Sequence, residues 1–145
     1  MSNVNSKILL CLDGSENSLI SANQALKIAK QFNSEIVALH IIHVPLSITI
    51  TPVVWEKNRE ENLKTVQGWI KDITNEAKEA NITIHIEIQK TDDSITKKIL
   101  EISDERNIDL IVIGSTGKSR LRRITMGSTA QSVTTNAKCS VLVVR

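Results

Sequence analysis

The chain reads as an α/β protein: an open five-stranded parallel sheet of strand order 3-2-1-4-5, with helices on both faces. Three observations lead there. Apolar runs of strand type alternate with segments of helical periodicity through the 145 residues, and strands alternating with helices build parallel sheets covered on both sides. Four of the runs are apolar at nearly every position, as strands buried on both faces must be. The remaining one, residues 82–88, sets Ile82, Ile84, Ile86 and Ile88 against Thr83, His85 and Glu87. Such alternation predicts one buried and one wet face, and a half-wet strand belongs at a sheet edge. The second run is apolar throughout and belongs inside, which favours 3-2-1-4-5 over 2-1-3-4-5.

The elements follow in order. Residues 7–12 form the first strand, and Asp13, Gly14, Ser15, Glu16, Asn17 and Ser18 supply a turn and a helix N-cap. A helix runs from there to about Phe32, with Leu19, Ala22, Leu26 and Ala29 inward. Residues 35–44 form the second strand. No charged side chain occurs in residues 36–55, but Pro45, Pro52, His40, His43 and several hydroxyl side chains make a poor membrane span. That stretch reads as a buried strand followed by a long loop over residues 45–55, a length that often carries function or motion. Residues 56–80 repeat Leu63, Val66, Ile70, Ile73, Ala77 and Ala80 at three- and four-residue intervals, an amphipathic helix despite Gly68. Asp92, Asp93 and Ser94 start a helix that carries Ile95, Ile99 and Ile102 inward and ends near Asn107. Residues 110–113 and 141–144 are the fourth and fifth strands, separated by a weakly helical segment with Ala130, Val133 and Ala137 on one face.

Composition excludes several functions. A chain of 145 residues is most simply one domain, 1–145, with a real core, and 41% hydrophobic and 23% charged residues are ordinary for a soluble protein. A net charge of +2 is too mild to argue for nucleic acid, and three aromatic residues, Phe32, Trp55 and Trp69, make no stacking platform. A nucleic-acid partner is therefore not expected, nor a membrane. Cys11 and Cys139 sit in apolar stretches without metal-ligand spacing, and read as buried free thiols in a reducing cytosol. The apolar run at residues 8–12 is too short for a signal peptide, so a cytoplasmic protein is expected.

The chemistry concentrates in residues 114–127. Three of the chain's 5 glycines, Gly114, Gly117 and Gly127, fall there with Lys118, Arg120, Arg122 and Arg123 and no acid. Strand, glycine-rich basic loop and helix N-terminus together bind anions: glycines let backbone approach closely, and the helix's first N–H groups point at the ligand. In the order 3-2-1-4-5 the strand order reverses between strands one and four, and ligands bind at that switch point. The loops flanking it hold Gly14, Gly114, Gly117 and Gly127, four of the 5 glycines. Gly114 would leave room for a sugar or phosphate, Gly117 would allow a positive φ, and Gly127 would offer its N–H beside those of Ser128 and Thr129. The blander reading of each is turn chemistry, and of the basic residues a solvated loop or a weak RNA patch. A Walker A loop is absent, because two residues rather than four separate Gly114 from Gly117-Lys118-Ser119. His40 and His43 lie on opposite strand faces with no acid or cysteine cluster, so core or loop-edge roles fit better than a metal site, and His85 falls on the third strand's wet face. No catalytic triad, defined carboxylate pair or zinc spacing emerges.

The spacing Gly114-x2-Gly117-x9-Gly127-Ser128 resembles that of the universal stress protein family, ATP-binding subclass. The opening run Lys7 to Ser15 with Asp13, the run Leu39-His40-Ile41-Ile42 and the last strand Val141-Leu142-Val143-Val144 extend the resemblance over nearly the whole chain. It implies a Rossmann-like fold of the adenine nucleotide alpha hydrolase kind and a bound ATP, AMP or ADP, with Mg²⁺ on the phosphates. Asp13 would hydrogen-bond the nucleotide near adenine or ribose, while Cys11, Leu12 and Ile41 line the adenine pocket. Gly114 and Gly117 would pass under ribose and phosphates, Gly127, Ser128 and Thr129 would hold the phosphates, and Ile113 and Thr116 complete the implied set. Cys11 stands where the family often has proline. An acid just before a helix often serves only as a cap or turn residue, but the place of Asp13 on the switch-point side favours the ligand role. The resemblance also implies homodimers formed through the fifth strand, whose apolar edge invites pairing. The function expected is that of a nucleotide-dependent sensor or regulator in stress response. Its rivals are a slow ATPase or a nucleotidyl or phosphoryl transferase, for which no general base beyond Asp13 is evident, and a receiver-type switch phosphorylated at Asp92 or Asp93, which leaves the glycine-rich loop unexplained.

Overall fold

The structure, a computed structural model, describes residues 6–13, 15–44, 52–116 and 126–145, with residues 52–59 and 62 described by backbone alone. Its elements are β1 (Lys7–Cys11), α1 (Glu16–Phe32), β2 (Glu35–His43), α2 (Pro52–Glu79), β3 (Ile84–Thr91), α3 (Ile95–Glu105), β4 (Leu110–Gly114), α4 (Ser128–Asn136) and β5 (Ser140–Val144). The strands form one parallel sheet in the order β3-β2-β1-β4-β5. This is the order the apolar runs predicted, and β1 and β4 are neighbours at the reversal.

Side-chain alternation divides the core into two layers. Ile8, Leu10, Ile36, Ala38 and Val112 pack under Ala22, Ala25 and Ala29 of α1 and Ile73 and Ala77 of α2. Leu9, Val37, Leu39, Ile111 and Ile113 pack on the other face under Ile99 and Ile102 of α3 and Ala130 and Val133 of α4. Small alanines along α1 let that helix lie close to the sheet, where Ala22, Ala25 and Ala29 are at most 1% exposed. Local signals start the helices: Ser15 caps α1 by accepting from Ser18 N–H at 3.2 Å, and Ser94 caps α3 by accepting from Lys97 N–H at 3.0 Å. α2 begins at Pro52, four residues before the periodic pattern, because proline's fixed φ suits a helix's first position. Of the expected 45–55 loop, residues 45–51 lie outside the described residues. Helices α1, α2 and α3 each hand over to the next strand through an exposed asparagine in the left-handed region, Asn33, Asn81 and Asn107, with φ of 54°, 58° and 54°.

Two expectations need correction. β3 is the edge strand, but its alternation is not isoleucine in and polar out. Ile86 and Ile88 are 40% and 41% exposed, while Glu87 and Gln89 are half-buried. Among β3's isoleucines only Ile84 packs against the α1/α2 layer. On the other face Glu87 Oε1 accepts from Arg106 Nη2 at 2.7 Å and from Gln89 Nε2 at 2.9 Å, which holds the polar residues down. The two cysteines are free, as expected, but half-buried rather than buried. Of the uncharged run, residues 36–43 belong to β2 and residues 52–55 to α2, and among the described residues no helix is long and apolar enough to cross a membrane.

Candidate functional site

β1 and β4 run parallel side by side, so their carboxyl ends emerge together, and a cavity of about 290 Å³ opens between the segments that follow them. Its size is that of a small-molecule site. Leu12, Leu39, Ile41, Ile99 and Ile113 give it an apolar side, and Asp13, Ser15, Ser115 and Thr116 a polar one. The N-terminus of α4 closes the remaining side with Gly127, Ser128, Thr129 and Ala130. Cys11 and Gly114 complete the strand ends. Ten of the eleven expected residues thus share one cavity wall, and Gly117 lies outside the described residues, as do Lys118, Arg120, Arg122 and Arg123.

The β1–α1 turn is held from several sides. Leu12 N–H donates to the Leu39 carbonyl at 2.9 Å, and the Leu12 carbonyl faces Nδ1 of buried His40 at 2.8 Å. A carbonyl only accepts, so Nδ1 carries the proton and His40 is a structural donor behind the cavity wall. His43 is exposed on the opposite strand face, and His85 is exposed on β3. Asp13 Oδ1 accepts from Ser15 N–H at 2.9 Å and from Ser15 Oγ at 2.5 Å. Asp13 is therefore a turn residue and a wall residue at once. Although Cys11 as a whole residue is half-buried, the burial of its thiol pushes it up to about 12, with the Asp13 carboxylate adding to the rise. It stays a neutral thiol at physiological pH.

Two glycines do something other than expected. A Cβ on Gly114 would lie 3.3 Å from Asn17 Cβ and 3.4 Å from Asn17 C and O, so its bare backbone makes room for α1. Gly127 donates its N–H to the Ser115 carbonyl at 2.6 Å, so that group is already used. Gly127 is the N-cap of α4 with no side-chain cap bond, and the first intrahelical bond from this end runs from Gln131 N–H to the Gly127 carbonyl. The N–H groups of Ser128 and Thr129 thus head a helix that carries no side-chain cap and no acid in its first turn. Uncapped N–H groups with the helix dipole behind them favour an anion.

Ser18, Leu39, Ile95, Ile99, Ser115 and Ala130 also line the cavity, and periodicity had not singled them out for it. Ile95 was expected inward but is 37% exposed, at the cavity's rim. The signal was available, because every βα connection opens at the carboxyl end of the sheet. The first turn of each following helix, including Ile95 and Asn17, must face that end.

Fold and cavity define a class: an open parallel α/β protein with a cavity at the switch point of its sheet. Within that class the chain belongs to the universal stress protein family, whose profile matches residues 5–145. A universal stress protein of Methanocaldococcus jannaschii is 35% identical over 144 residues, covering 99% of this chain and 84% of the relative. Among solved structures, the universal stress protein UspA of Lactobacillus plantarum superposes with a TM-score of 0.74 at 24% identity, over 97% of each chain. A universal stress protein family member of Arabidopsis thaliana, solved with AMP bound, superposes with a TM-score of 0.64 at 15% identity, over 95% of this chain and 90% of that one.

Proposed function

We propose that this chain binds an adenine nucleotide, ATP with Mg²⁺, at the β1/β4 switch point, and acts as a nucleotide-dependent regulator of stress response in the cytoplasm. The observation that carries the reading is one cavity whose lining combines apolar side chains from the sheet and α3 with the uncapped N-terminus of α4. A nucleotide has the same division, an aromatic base at one end and anionic phosphates at the other. Leu12, Ile41 and Ile113 take the base. Asp13, which only accepts hydrogen bonds when ionised, pairs with hydroxyl or amino donors of the sugar or base, because its charge repels phosphate. Ser128 and Thr129 take the phosphates through their N–H groups. The AMP-bound family member supports an adenine nucleotide. Among the described residues no three His, Cys, Asp or Glu side chains gather as a metal site. Mg²⁺ fits regardless, since phosphates and water can supply most of its ligands. The metal would neutralise phosphate charge.

Calorimetric titration with ATP, AMP and adenosine tests this, and Ser128→Pro tests the phosphate end. Ser128 is the first residue of α4, where proline is favoured, and Gly127 before it already has φ −63° and ψ 158°, as a residue preceding proline requires. The substitution leaves the helix intact and removes one N–H. A charge-assisted hydrogen bond is worth about 1.5–3 kcal/mol, so ATP affinity should fall about tenfold or more. Adenosine affinity should hold. Parent protein that binds none of the three ligands would refute the reading, and an unchanged ATP affinity in Ser128→Pro would refute the placement of the phosphates. The same samples, assayed for ADP, decide whether ATP is turned over.

We further propose that the protein pairs with a second copy through β5. Val141, Leu142 and Val143 are only half-buried on this edge strand, whose outer backbone has no neighbouring strand among the described residues.

A further inference from the structure

The two segments that flank the switch point belong to different parts of the chain, and one side chain joins them. Asn17, in the first turn of α1, reaches across with its Nδ2 amide. It donates to Ser115 Oγ at 3.2 Å, to the Thr116 carbonyl at 3.3 Å and to Thr116 Oγ1 at 2.9 Å. Its position is fixed on its own side as well, because its carbonyl accepts from buried Ser21 Oγ at 2.9 Å and its Cβ rests over bare Gly114. Ser115 passes the constraint on in two directions. Its N–H donates to the Val144 carbonyl at the end of β5 at 2.7 Å, and its carbonyl accepts from Gly127 N–H at 2.6 Å. Gly127 is the N-cap of α4. A short chain of hydrogen bonds therefore runs from α1 through Ser115 to the helix end at Ser128 and Thr129. Asn17 itself is not part of the cavity wall.

We propose that Asn17 is a positioning residue for the phosphate end of the site, holding the α4 N-terminus at the distance from the β1–α1 turn that a nucleotide polyphosphate needs. This rests on the nucleotide reading above and adds to it a selectivity. The apolar side of the cavity is built by Leu12, Leu39, Ile41 and Ile113 from the sheet and by Ile99 from α3, all packed in the two core layers or their margins. None of them depends on Asn17. Loss of the clasp loosens the helix end relative to the turn and leaves the base site in place. Hydrogen bonds to phosphate require donors within a few tenths of an ångström of their best distance, whereas apolar contact with a base tolerates small shifts.

The test compares ATP with adenosine in the parent and in Asn17→Ala, Thr116→Val and the double variant, each shown by circular dichroism to be folded. Asn17→Ala should weaken ATP about tenfold and change adenosine by less than twofold. Thr116→Val is close to isosteric, removes the shortest of the three bonds and should give a smaller loss of the same kind. The double variant should be no worse for ATP than Asn17→Ala alone, because residues acting through one shared contact are non-additive. A general loss of structure would move both ligands together, so the ATP-to-adenosine ratio is the deciding quantity. Equal losses for both ligands, an unchanged ATP affinity in Asn17→Ala, or additive losses in the double variant would each overturn the clasp while leaving the nucleotide reading standing. A parent that binds adenosine and ATP equally well would remove the phosphate end altogether, and the clasp with it. Should Asn17→Ala not fold, Asn17→Leu, which keeps the side-chain volume but has no donor and lies off the cavity wall, decides in its place: ATP-selective loss supports the clasp, and none refutes it.

Discussion

Cys11 and Asp13 are separated by one residue at the end of β1, and the Asp13 carboxylate bears on the Cys11 thiol. The Cys11 thiol is raised from an ordinary 9.0 to about 12, by burial first and the carboxylate second. The consequence for stability has a definite sign. Below pH 9 the thiol is protonated in both folded and unfolded chains and contributes no pH dependence. Between pH 9 and about 12 the unfolded chain releases that proton while the folded chain retains it, so the folded state loses stability through this window. Cys11→Ala should therefore flatten the alkaline decline of the urea midpoint relative to the parent, with parallel curves below pH 9. Curves that stay parallel to pH 11 would show that the thiol is not the source. At this scale the sequence was legible as composition and less so as contact. Gly114 and Gly127 could be picked out as glycines at loop boundaries, but not that Asn17 would pack on the first and Ser115 would take the N–H of the second. Both partners are distant in sequence, and nothing in local spacing reports them.

The edge strand β3 shows how far periodicity reaches at the level of an element. Strict alternation over residues 82–88 placed it at the edge, which is correct, because a strand with polar residues on one face is excluded from the middle of a parallel sheet. Which face meets water is set by neighbours that alternation cannot see. Arg106, at the C-cap of α3, draws Glu87 toward the sheet, and Ile86 and Ile88 are left two-fifths exposed. Exposed isoleucines on a long free edge invite pairing with other chains. Ile88→Lys should accordingly leave the thermal midpoint nearly unchanged, since exposed substitutions move stability by about 0.5 kcal/mol or less. It should also reduce light scattering on heating. A drop of more than about 2 kcal/mol, as for a core site, would mean that Ile88 is covered in solution.

Across the whole molecule the strand order and the location of the cavity were both readable, because they follow from one pattern. Wholly apolar runs fix which strands are central, the reversal of order fixes where ligands enter, and the glycines fall on the loops at that point. The proposed pairing through β5 belongs to this scale too. Sedimentation at micromolar concentration should give a dimer, and Val143→Lys, if folded by circular dichroism, should give a monomer. A monomeric parent would end that proposal. The three asparagine turns give the molecule two ends with different freedoms. Asn33, Asn81 and Asn107 close three of the connections at the amino ends of the strands with the same left-handed step. The carboxyl ends, where the cavity lies, are joined by segments of unequal length and unlike composition. One end is repetitive masonry and the other is open for revision: a chain of this design can acquire a new ligand preference by rewriting its cavity-side connections, with its turns, register and core layers untouched.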